Sequence, residues 1–174
     1  MEPCHPLIED NINMLRQGIE LIEQVGDALY ANARPPFMES GVGGHFRHCI
    51  DFYDRFLSSF QTGRINYVLR QRNPLLETSR RLAVSEIESV IERLRRLSPD
   101  DLRSRVQVIA EDLSGPLGAN AWSHSSVTRE LQSLLGHTVH HYAMIALALR
   151  LQGFEPAAEF GVAPSTLAYW RRTA

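Results

Sequence analysis

Apolar residues recur at three- and four-residue steps along four long segments of this chain, and that spacing constrains its fold more than any other feature. A repeat near 3.6 lines one face of a helix, whereas a half-buried strand needs alternation with a period of two. Residues 7–32 carry Ile8, Ile12, Leu15, Ile19, Ile22 and Leu29 in one stripe. Adjacent prolines and three glycines make residues 33–44 a loop. A second helix is expected over 42–62, marked by Val42, Phe46, Cys49, Ile50, Tyr53, Phe56, Leu57 and Phe60, with Gly63 as its stop. The third starts at Thr78 or Ser79, either of which suits a cap, and runs through Leu82, Ile87, Val90, Ile91 and Leu94 to end before Pro99. The fourth starts at Ser125 or Ser126, with Glu130 four to five residues on, and passes Leu131, Leu134, Leu135, Tyr142, Ile145 and Leu149 before Gly153.

Four amphipathic helices of roughly 19–28 residues are about 30–40 Å long and bury their stripes against one another, so the expected class is an all-α four-helix bundle. The connection between the third and fourth helices is long enough for a crossover, so simple up-down-up-down order is not required. Within it, residues 105–110 alternate weakly and Ser114-Gly-Pro116 is a turn signal, which together suggest a short hairpin. Residues 63–74 look like a polar connection. Residues 154–161 look like an extended C-terminal tail, followed by a final turn that Ser165 would cap.

A length of 174 residues with 44% hydrophobic and 22% charged side chains suits one globular domain spanning 1–174. The net charge of −2 supplies no basic field, so nucleic acid is not an expected partner. Every cation is arginine, which excludes Schiff-base lysine chemistry and a P-loop lysine. Cys4 and Cys49 form no disulfide framework, no stretch reaches the ~18 apolar residues of a membrane span, and the first residues have no secretory pattern. The expectation is a cytoplasmic protein without a membrane partner.

Chemistry concentrates in histidine. Five of the seven histidines fall in two clusters, His45 and His48 at the start of the second helix, and His137, His140 and His141 in the fourth. No Gly-rich phosphate loop or nucleophile elbow competes with them. On a helical wheel at ~100° per residue, His141 lies roughly 60° from the centre of the apolar stripe, His137 roughly 100° on the same side, and His140 nearly opposite. His137 and His141 thus share an edge one turn apart and can reach one ion. In the second helix the wheel slightly prefers His45 to His48. Either ring would complete three neutral nitrogen ligands, the set that leaves a fourth position open on a catalytic zinc.

Other candidates have blander readings. Cys49 reads as a small core residue, and Asp51 and Asp54 as solvated, with Asp51 the one placed to orient a ligand histidine. Arg64, Arg70, Arg72, Arg80 and Arg81 read as solvated surface that would receive a substrate carboxylate only by folding over the bundle mouth. His5 and His124 are isolated. Phe52, Tyr53, Phe56 and Phe60 spread aromatic surface over more of the second helix than one seam requires, which suggests a homodimer.

The pairing of Gly43-Gly-His-Phe-Arg-His-Cys-Ile50 with His137-Thr-Val-His-His141 resembles the DinB family of four-helix bundles over roughly residues 7–153, leaving the tail from Phe160 to Ser165 uncovered. The resemblance implies a divalent-metal site, usually zinc or nickel, made by three histidines at one end of the bundle. Matched motif to motif, the ligands are His48, His137 and His141, with His45 as a supporting or substitute ligand. The family is similar to transferases and isomerases that use low-molecular-weight thiols such as bacillithiol or mycothiol. That implies a metal-dependent enzyme activating water or a small thiol for transfer, isomerisation or hydrolysis of a small molecule, with His45 or Tyr142 as a base. The alternative is a non-catalytic metal-binding stress-response or interaction bundle. Where the family often has a tryptophan before the second helix, this chain has Ser40-Gly-Val-Gly-Gly44.

Overall fold

The structure, a computed structural model, describes residues 5–32, 40–110 and 122–173. Pro6 occupies the first helical position, and His5 Nδ1 accepts from the Leu7 N–H, which starts α1, Pro6–Gln24. The expected single helix over 7–32 is broken. Val25 and Gly26 are extended, and a short α2, Asp27–Ala31, follows. A β-branched residue next to glycine is a weak point in a helix, and the break turns Tyr30 into the core, where its hydroxyl donates to the Leu76 carbonyl at 2.7 Å.

The second helix, α3, spans Val42–Ser59 and tightens into a 3₁₀ turn, Phe60–Thr62, before Gly63 adopts φ 74°, the left-handed conformation that lets a helix end there. Ser79, rather than Thr78, caps α4, Arg80–Arg95, by accepting from the Leu82 N–H. An unexpected α5, Pro99–Arg103, is held by a reciprocal capping box between Ser98 and Asp101. Ser126 caps α6, Val127–Leu151, by accepting from the Arg129 N–H. The tail holds a turn ending at Gly161, and the expected final turn is a longer helix, α7, Pro164–Thr173, begun one residue before Ser165. Phe160, expected to be extended, is buried in that turn and stacks on Tyr142 at 4.8 Å.

In the bundle α1 packs on α4 and α6, and α3 packs on the same two helices, so α1 and α3 lie diagonally opposite. Consecutive long helices are therefore not always neighbours, and a crossover is present. A three-stranded sheet, ordered β1 (Arg64–Asn66), β2 (Arg105–Ile109), β3 (Ser123–Ser126), joins the C-terminal end of α3 to the start of α6. β2 and β3 are antiparallel, as the hairpin expectation required, while the proposed turn at 114–116 lies outside the described residues. β1 pairs in parallel with β2, which corrects the reading of 63–74 as a purely polar connection. Ile65 is its anchor, fully buried, but three residues are too few to show a period.

The core is one cluster of buried side chains drawn from all four long helices and the sheet. Tyr53 and Phe56 are wholly inside it and Phe60 nearly so. These rings are core, and they give no support to a dimer face. Among the described residues, no helix is long and apolar enough to cross a membrane.

Candidate metal centre

The site lies where the start of α3 meets the middle of α6. What fixes the start of α3 is close approach. A Cβ on Gly43 would stand 2.1 Å from the Glu77 carbonyl oxygen and 2.7 Å from the Tyr30 ring, so only glycine lets the helix seat against the 3₁₀ turn Pro74–Glu77. Arg47 ties the same surfaces together, its Nε 2.6 Å from Glu77 and its Nη1 2.7 Å from Asp51. Gly43, in the first turn of α3, thus serves packing.

With α3 held so, four imidazoles converge. His48 Nε2 and His141 Nε2 each lie 3.1 Å from His137 Nε2. One nitrogen from each of these three rings falls within 4.8 Å of the other two. His45 stands behind them, its Nδ1 2.9 Å from His141 Nδ1. His140 is exposed and outside the group, as the wheel required. The wheel also ranked His45 as the more buried of the α3 pair, and it is 8% exposed. Its ring nevertheless meets the far nitrogen of His141, whereas His48 contributes to the convergence.

Burial, more than any neighbour, pulls these rings down in basicity. His48 and His137 are lowered to about 4 and His141 to about 3, with the adjoining imidazoles adding to the effect, and Arg70 adding to it for His48 and His137. His45 is lowered for the same first reason. All four are neutral at pH 7, so each retains a lone pair. At His137 Nε2, one lone pair or one proton must serve two neighbours, so the three-ring set is not satisfied by hydrogen bonding alone. A divalent cation accepting all three lone pairs resolves this, and the donor set fits one. If His141 gives its Nε2 to a cation, its Nδ1–H points at His45 Nδ1, the kind of contact that fixes a ligand's tautomer.

Asp51 is a correction. It is 4% exposed rather than solvated, and its partner is Arg47, not a histidine. Burial raises its carboxyl to about 6 against the pull of Arg47. Asp54 is half-exposed and pairs with Arg93. Cys49 is core, its thiol pushed up by burial to about 12. Tyr142 packs between Phe46 and Phe160 with its hydroxyl directed at Gly18 of α1, an interior position that does not suit a base. The arginines divide: Arg80 pairs with Asp27, Arg64 lies over Trp122, Arg72 and Arg81 are exposed, and Arg70 lies over the Phe52 ring at 4.6 Å.

A cavity of about 390 Å³ opens beside the rings. His137 lines one end, the Phe52–Tyr67 stack forms a wall, and Glu130 lines the other end. Tyr67 donates to Glu130 Oε2 at 2.9 Å and Ser125 to Oε1 at 2.5 Å. None of Phe52, Tyr67 or Glu130 was singled out for the site from sequence. Glu130 lies two turns before His137 on α6, the one regularity that could have drawn attention to it.

A helical bundle with three converging imidazoles at the α3–α6 seam defines a class of histidine-cluster bundles. The model of the DinB superfamily matches residues 15–145, and the chain belongs to that superfamily. A DinB-like protein of Bacillus subtilis, YjoA, has a similar crystal structure, with a TM-score of 0.61 and 15% identity over 86% of this chain and 92% of that one. No curated protein matches.

Proposed function

We propose that His48, His137 and His141 hold one divalent metal ion, zinc or nickel, and that the protein is a metal-dependent enzyme acting on a small molecule. The observation that carries this reading is the convergence of three neutral ring nitrogens at the end of a cavity that His137 itself lines. A cation with three protein ligands supplies Lewis-acid activation of a water or a small thiol, which suits transfer, isomerisation or hydrolysis. The chain's own residues do the rest. His45 orients His141, Phe52 packs on His48 and His137 and limits water around them, and the cavity wall positions the reactant. A low-molecular-weight thiol fits this scheme as the co-substrate.

Cobalt substitution tests the proposal. Cobalt is expected to enter with a visible spectrum that azide or a small thiol alters, because three ligands leave a position open. A spectrum unchanged by both would mean a closed site and would favour the non-catalytic metal-binding reading. Homodimerisation, in the same reading, rests on Met144, Leu147 and Leu151, exposed along one face of α6. A monomeric mass by light scattering would end it.

A further inference from the structure

Glu130 is 6% exposed, lines the cavity, and is hydrogen-bonded only by two neutral hydroxyls among the described residues. No arginine or histidine in those residues stands within ion-pair distance of it, although the chain pairs Asp27, Asp51 and Asp54 with arginines. Burying a carboxylate without a cation is costly unless hydrogen bonds offset it. The first turn of α6 offsets part of that cost through its dipole, but this does not explain why the group faces a cavity.

Tyr67 and Ser125 each spend their single hydroxyl proton on Glu130, so towards the cavity they, like the carboxylate, offer only lone pairs. Glu130, Tyr67 and Ser125 thus form an array of acceptors with a negative charge at its centre, buried behind the exposed Arg129 and His124 that also line the cavity. The ligand group it suits is a hydrogen-bond donor carrying positive charge.

We propose that the cavity binds a small molecule through an ammonium group held by Glu130, Tyr67 and Ser125, with the ligand's other end directed at His137. Seven residues separate Glu130 from His137, about 10 Å along α6 at 1.5 Å per residue, so the ligand is a chain of roughly six to eight heavy atoms. The Phe52–Tyr67 stack and Leu134 provide an apolar wall for its middle. The distal end rests on the metal reading given above; the ammonium end does not.

The test titrates the full chain, with and without zinc, with hexylamine, hexanol and hexanoate at neutral pH, following backbone amide shifts and measuring zinc content of the same samples. Hexylamine is expected to move amides of residues 130–137 and to bind at least ~10-fold more tightly than hexanol, with hexanoate weakest. E130Q should abolish the preference, and Y67F, which keeps the carboxylate but removes one acceptor, should weaken it without abolishing it. The wild-type comparison needs no variant to fold. Equal binding of amine and alcohol, tighter binding of hexanoate through the exposed Arg129 and His124 at the cavity, or an amine preference surviving in folded E130Q would each overturn the proposal. Amine preference in a chain that takes up no zinc would support this inference and remove the metal reading; zinc uptake with no preference would do the reverse.

Discussion

Two turns of α6 separate His137 from Glu130, and across the same seam α3 and the segment after it bury polar groups in opposite ways. At the Glu130 end, both carboxylate oxygens receive a hydroxyl proton from within the chain. At the histidine end, three lone-pair donors face one another with too few protons to join them. Hydrogen bonds completed within the fold hold structure, whereas lone pairs converging on one point are completed only by a cation. On that difference, damage at the histidine end should show first in metal binding, and damage at the Glu130 end first in stability.

The largest expected effect is all-or-none. H137A, H141A and H48A should each lose stoichiometric zinc or nickel binding by calorimetry, while H140A keeps it. Loss in H140A as complete as in the others would dissolve the assignment of faces on α6. A smaller effect is expected from H45A, which should keep the stoichiometry and lose affinity by the ~10–100-fold typical of a ligand-orienting residue. If H45A lost metal and H48A kept it, the convergence described for His48 would be wrong.

Acid should also separate the two ends. The triad histidines are depressed to about 3–4 in the folded chain, below the ordinary 6.5, so the unfolded state binds more protons in between. Their contribution to stability is full above pH 6.5 and is lost as pH falls through that value towards 4, whereas metal retention in the folded chain should fall only at about pH 4 and below, where the rings themselves take up protons. Denaturation of the metal-free chain at a series of pH values checks this, and H137A should flatten the curve. A stability that rose as pH fell from 6.5 to 4 would contradict it. The smallest effect is Y67F, which leaves Glu130 one donor short and should cost about 1–3 kcal/mol in chemical denaturation while metal affinity stays unchanged.

Local spacing made part of this legible. The i, i+4 pair His137 and His141, the exclusion of His140 and the stripes of α3, α4 and α6 follow from helical period alone, because each lies within one element. The choice between His45 and His48 did not, since Gly43 against Glu77 and Arg47 against both Glu77 and Asp51 set how α3 presents its first turn. The two contacts with Glu77 reach across some thirty residues of chain. Tyr67 and Glu130 were invisible for the same reason, being brought together by the parallel pairing of β1, whose three residues carry no pattern. The break at Val25–Gly26 was present as a weak helical dipeptide inside an otherwise strong stripe, and the stripe outweighed it.

His48, His137 and His141 are proposed to form a divalent-metal site. Elemental analysis of the full chain, purified without a histidine tag, loaded with zinc and dialysed against metal-free buffer, tests this most directly. One zinc should be retained per chain at neutral pH and released on acidification below about pH 4, where the three rings take up protons. A folded wild-type chain that retains no zinc and no nickel would contradict it.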